Sequence, residues 1–178
     1  MTDDPRPVAY LRRLDRVEDR LRTHASAPPS AGLTDPDPPT GERWEYGQVW
    51  AHLGEFVPYW VEQVRIVVDP SREEPVPFGR TKTDPQRVAA IERDRRLPQK
   101  ELMERLDRQI EDARALIAEL PSDAWGRRGF HKTLGVMDLP AIFEEFLVGH
   151  LEAHAAQLDG LRSGDPTTPT TDEPKEPR

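Results

Sequence analysis

Three of the five histidines in this 178-residue chain stand where imidazoles can act together. His150 and His154 are four residues apart, so on a helix they lie about 40° apart around the axis and roughly one turn apart along it. Stepping about 100° per residue, Phe143, Leu147, Leu158 and Leu161 fall within about 80° of His150, which turns the pair toward the buried side. His52 lies amid Val49, Phe56, Tyr59 and Val67, again at the centre of an apolar stripe. A buried imidazole needs partners for both nitrogens. Three charged ones brought together would repel, whereas a divalent cation binds all three neutral. Three nitrogens with an open position form the pattern of catalytic rather than structural metal sites.

The simpler alternative is that each inward histidine is a hydrogen-bonded core residue, and H-x-x-x-H alone is a frequent accident. For any one of them that alternative is preferred. Three, each centred on its own apolar face in a chain with no cysteine, favour the metal. The neighbouring residues exclude two familiar motifs. Glu152 stands at the second place after His150, about 200° away, whereas zinc proteases use H-E-x-x-H. Di-iron bundles place a glutamate three residues before each histidine, but here those positions hold Leu147 and Val49. His24, at the end of the first helix, reads as structural. His131 reads as a solvated loop residue, with only a weak claim to support a site from behind.

The elements that must carry these residues follow from periodicity. Val8, Leu11, Leu14, Val17 and Leu21 predict a helix over 8–23. A proline-rich loop over 25–43 separates it from a second helix over 46–68, which Pro58 should kink by crowding the carbonyl of Gly54. A loop over 69–83 precedes a short helix over 85–96, opened by Asp84-Pro85. A fourth helix follows Pro98 through Leu102, Leu106, Ile110, Ala113, Ile117 and Leu120. A glycine-containing loop over 121–138 leads to the last helix, 139–161. No strand is expected. The reading is all-α: a four-helix bundle with long loops, forming one domain over residues 1–162, followed by a disordered tail over 163–178 rich in Pro, Thr and charge.

Composition narrows the function. Lys and Arg total 25 against 33 Asp and Glu, for a net charge of -8, and the basic pairs are interspersed with acids, so no stripe exists to neutralise nucleic-acid phosphates. The acidic start Met1-Thr2-Asp3-Asp4 lacks a following apolar segment, and no run is long enough to span a membrane, which predicts a cytoplasmic protein without nucleic-acid or membrane partners. With no cysteine, thiol chemistry would need an external thiol.

Trp44 followed by Val49-Trp50-Ala51-His52-Leu53, then Gly135 with Met137-Asp138-Leu139, then Phe146-Leu147-Val148-Gly149-His150-Leu151-Glu152-Ala153-His154-Ala155-Ala156-Gln157-Leu158 resembles the DinB-like (YfiT-like) superfamily of bacterial four-helix bundles. The likeness spans nearly the whole helical part. It implies that His52, His150 and His154 hold a divalent ion, zinc or nickel being the leading choices, with waters completing the shell. It also implies a transferase or isomerase that activates a low-molecular-weight thiol such as mycothiol or bacillithiol toward a small-molecule substrate, and a homodimer, for which Trp50 and Trp60 would be exposed aromatics. No residue stands out as a general base, so the catalytic residues are unknown. The alternative is a metal-binding or stress-associated scaffold without turnover, which would have a closed, apolar-capped site. Tyr59 and Gln157, on the faces of the metal histidines, can hydrogen-bond a ligand or satisfy core groups. Arg80 and Lys82 can bind a cofactor carboxylate, although solvating a loop is the simpler reading.

Overall fold

The computed structural model describes residues 4–37 and 40–163; of the expected tail over 163–178, Ser163 is the last residue of a helix and the rest lies outside the described residues. Six helices and three short strands appear in the order α1 (Pro5–Ala25), α2 (Tyr46–Val68), β1 (Val76–Phe78), α3 (Pro85–Asp94), α4 (Gln99–Glu119), β2 (Arg128–His131), β3 (Gly135–Asp138), α5 (Leu139–Phe146) and α6 (Val148–Ser163), with a 3-10 turn at Ser122–Gly126. The helix starts follow local chemistry. The Asp4 side chain accepts from the Arg6 amide ahead of Pro5, Asp84 accepts from Arg87, and Asp138 accepts from Ala141, so each carboxylate satisfies an amide that the helix leaves orphaned.

The bundle is built around α2. It packs against α3, α4, α5, α6 and β1, and this enclosure buries Trp50, Leu53, Val57, Trp60 and Val64 along with Val49, His52, Phe56 and Val67 of the face predicted from periodicity, Tyr59 staying half-buried. A helix packed on several sides keeps only a narrow solvent stripe, here Pro58, Glu62 and Arg65, so the expectation that Trp50 and Trp60 are exposed is wrong: they are 1% and 2% accessible. Trp60 stacks on Phe146 with ring centroids 3.8 Å apart. The helix runs through Pro58 unbroken. Pro58 lacks the amide that would bond the Gly54 carbonyl, and Gln109 of α4 supplies the missing donor at 2.8 Å.

Two further expectations are corrected. The chain has a three-stranded sheet in the order β1-β2-β3, with β1 parallel to β2 and β2 antiparallel to β3. Strands of three or four residues, one of them containing Pro77, are too short for an alternating pattern to register. Secondly, the last helix is two. Leu147, at φ -130° and ψ -88°, breaks it between α5 and α6, so no single helical wheel spans Phe143 to Leu161. The close turn depends on Gly149, where an added Cβ would lie 2.2 Å from the Glu144 carbonyl oxygen.

Gly149→Ala therefore forces α6 away from α5, and with it the segment carrying both histidines. We expect a cost of about 1–3 kcal/mol and a Tm lower by ~2–10 °C in a thermal melt. An unchanged Tm would mean that the carbonyl simply moves aside.

No helix among the described residues is long and apolar enough to cross a membrane.

Candidate metal centre

His52 comes from the middle of α2, and His150 and His154 come from successive turns of α6. The three rings converge on their Nε2 atoms: His52 Nε2 lies 3.0 Å from His150 Nε2, and His154 Nε2 lies 2.9 Å from the same atom. One ligand nitrogen from each lies within 4.8 Å of the others. Metal–nitrogen bonds of roughly 2.0–2.1 Å let all three reach a single ion.

Their outer nitrogens decide what the inner ones can do. His52 Nδ1 is 2.7 Å from Glu55 Oε1, and His154 Nδ1 is 2.7 Å from Gln157 Oε1. Both partners accept, so both Nδ1 atoms carry the proton and both Nε2 atoms present lone pairs. His150 Nε2 faces the two lone pairs and can donate to only one of them. A cation bound by all three nitrogens resolves this, and the donor set, neutral imidazole throughout, suits first-row divalent ions. Partner and histidine are three residues apart in each case, one turn on the same face, an arrangement that would fix ring orientation if the histidines held a metal.

Electrostatics keep the rings neutral. Burial holds His52 and His150 well below the ordinary 6.5, and repulsion from the neighbouring imidazoles and from Arg87 adds to this. Burial holds His154 at about 4, against the Gln157 hydrogen bond, which works upward. His52 and His154 are nearly inaccessible, whereas His150 is half-buried. Phe56 stacks on His150 at 3.7 Å, and Trp44 lies parallel to His154 at 6.1 Å.

Of the other sequence-derived site residues, Gln157 stands on His154 as described. Arg80 is not a loop cation facing solvent. It is 11% accessible, its guanidinium pairs with Glu55, and it lies over the Tyr59 ring at 3.9 Å. Tyr59 thus lies beneath Arg80. Lys82 is exposed and pairs with Asp37 at 3.1 Å. His131 is buried in β2 rather than solvated in a loop. Its Nε2 donates to the Arg80 carbonyl at 3.2 Å, so it supports Arg80 from the sheet. Gly79 makes room for it: φ is +86°, and an added Cβ would meet the His131 ring at 2.4 Å. His24 is also buried, bonded to Asp159 of α6 at 2.7 Å, and ties the bundle together.

Sequence reasoning missed Glu55 and Arg87. Glu55 was findable, since its place three residues after His52 puts it on the same helix face. Arg87 carries no such signal, because a chain turn between β1 and α3 brings it in. A cleft of about 590 Å³ between the 29–33 segment and the α3–α4 turn includes Trp50 and none of the three histidines.

A family model described as the DinB superfamily matches residues 13–158. Among solved structures, YfiT from Bacillus subtilis, described as a probable metal-dependent hydrolase with an unusual four-helix bundle topology, superposes with a TM-score of 0.71 at 16% identity, covering 93% of this chain and 91% of that one. A variant of the mycothiol-dependent maleylpyruvate isomerase superposes with a TM-score of 0.61 at 13% identity, covering 85% of this chain and 60% of that one. No curated protein sequence matches.

Proposed function

We propose that this chain, which belongs to the DinB superfamily, is a divalent-metal-dependent enzyme that holds its ion on His52, His150 and His154 and activates a low-molecular-weight thiol for transfer to a small-molecule electrophile. The observation that carries this reading is the convergence of three Nε2 atoms, two of them held as unprotonated acceptors by Glu55 and Gln157. Bound there, zinc or nickel would lower the pKa of a coordinated thiol or water toward neutrality. The chain's own residues do the rest. Glu55 and Gln157 fix two tautomers, Phe56 and Trp44 shield the rings from water, and the half-buried His150 leaves the side from which a small molecule can approach.

A mycothiol- or bacillithiol-type S-transferase is the finer form of the proposal. It is supported by the cysteine-free sequence and by the mycothiol-dependent isomerase among the structural neighbours. A hydrolase using water in place of thiol is the neighbouring reading, supported by the likeness to YfiT. A non-catalytic metal-binding scaffold is favoured by one observation, the near-complete enclosure of His52 and His154. A cytoplasmic setting and a homodimer belong to the same proposal. The dimer no longer has Trp50 and Trp60 to support it, and sedimentation equilibrium tests it directly.

The deciding experiment is metal content by mass spectrometry on untagged protein, with His154→Ala purified identically. We expect about one divalent ion per chain in the wild type and at least a tenfold loss in the variant. Metal-free wild type that resists reloading would overturn the proposal. Loaded protein that conjugates neither mycothiol nor bacillithiol to 1-chloro-2,4-dinitrobenzene or to a wider panel of electrophiles would remove the S-transferase form.

A further inference from the structure

Arg87, in the first turn of α3, brings a second buried cation to the histidine site. Its side chain is 13% accessible, and its guanidinium lies over the Trp44 ring at 5.4 Å. Trp44 in turn contacts the His52 and His154 rings, with centroids 5.0 and 6.1 Å away. Arg87 Nη1 donates to the Lys82 carbonyl at 2.8 Å. The Glu55 carboxylate lies 3.8 Å from Arg87 Nε, and both of its oxygens are already engaged, Oε1 by His52 Nδ1 and Oε2 by Arg80. One carboxylate thus serves a histidine and two guanidiniums.

The other charges facing Arg87 are Arg80, which repels it, and Glu42 and Asp84, which attract it. Glu42 is exposed, and Asp84 also caps α3. Burial outweighs these attractions and pulls the Arg87 pKa below its ordinary value. A guanidinium is a planar, two-pronged donor suited to a carboxylate, and a desolvated one gains most from meeting it.

Resting on the metal-site reading above, we propose that Arg87 is an oxyanion-binding residue beside the three-histidine centre, and that the thiol or substrate this centre takes carries a carboxylate. The carboxylate end would lie against Arg87 while the reacting end faces the histidine nitrogens. Arg80, committed to Glu55 and Tyr59, is then a positioning residue rather than the anion's partner.

The test uses full-length protein loaded with cobalt and titrated with 3-mercaptopropionate or its neutral amide, read from the thiolate-to-metal absorption band. We expect the carboxylate form to bind at least about tenfold more tightly. In Arg87→Met that ratio should fall to about one, and in Arg87→Lys, the safer variant for folding, to an intermediate value. A wild-type ratio near one, or a ratio preserved in Arg87→Met, overturns the proposal and leaves the metal reading intact. If cobalt does not load, the metal reading fails by itself. Propionate titrated against the Arg87 Nε–Hε signal in a nitrogen-15 spectrum then decides: a saturable shift supports the anion site, and no shift overturns it.

Discussion

Replacing Glu55 by alanine is expected to weaken divalent-ion binding by about 10–100-fold and to cost the fold about 3–5 kcal/mol. The two effects have different origins. The first is the loss of the acceptor that keeps the proton of His52 on Nδ1, 2.7 Å from Glu55 Oε1. Without it the ring is free to place the proton on Nε2 and remove a lone pair from the site. The second is charge. Glu55 is 7% accessible and faces two guanidiniums, Arg80 and Arg87, that are 11% and 13% accessible, so removing it takes a shared, nearly inaccessible carboxylate from two largely buried cations and leaves them to Asp84 and, for Arg87, Glu42. Glu55→Gln separates the two effects. An amide oxygen still accepts from His52 Nδ1, so metal affinity should recover most of its loss, while the stability cost persists. Competition of zinc against a colorimetric chelator reads the first effect, and urea unfolding of metal-free protein reads the second. Unchanged zinc affinity in Glu55→Ala would show that His52 needs no orienting partner.

The contrast between Glu55 and Arg87 shows where sequence reasoning reaches. Periodicity located α1, α2, α3 and α4, because each is long enough for an apolar stripe to repeat or is opened by a capping residue and proline. It also placed His52 on the inward face of α2, since residues on one helix are related by a fixed rotation; for His150 and His154 only the part of the wheel within α6 holds, because Phe143 lies beyond the break at Leu147. What it could not reach depends on contacts between elements. The burial of Trp50 and Trp60 follows from α2 being enclosed on several sides, which no single-helix wheel reports. The break at Leu147 follows from the fit of Gly149 against the Glu144 carbonyl. The sheet pairs residues about fifty positions apart, Val76 with Gly129, and this pairing carries Arg80 from an apparently solvated loop to the carboxylate behind His52.

Acidification should destabilise the metal-free protein well before its carboxylates protonate. His154 is held at about 4 against an ordinary 6.5, and burial holds His52 and His150 well below 6.5 as well. A histidine whose folded pKa is depressed stays neutral in the native state while the unfolded chain takes up a proton. Stability therefore falls as pH drops below about 6.5, and levels off only near the folded pKa. The His154 shift alone corresponds to about 3 kcal/mol lost by pH 4, and the other two rings add to it. The groups packed against the triad do not cancel this loss. Arg80, Arg87 and Lys82 repel a proton there, and burial raises the Glu55 pKa, so its own contribution has the opposite sign and a single proton's weight. Urea midpoints of chelator-treated protein should fall steadily between pH 6.5 and 4.5, and His154→Gln should shallow that slope by close to one proton, about 1.4 kcal/mol per pH unit. Saturating zinc at a hundred times its dissociation constant should add about 2.7 kcal/mol at neutral pH and make the decline steeper, since protons must then displace the ion. Midpoints that stay flat from pH 7 to pH 5 would mean the three rings do not share a dry site, and the case for a cation between them would fall with it.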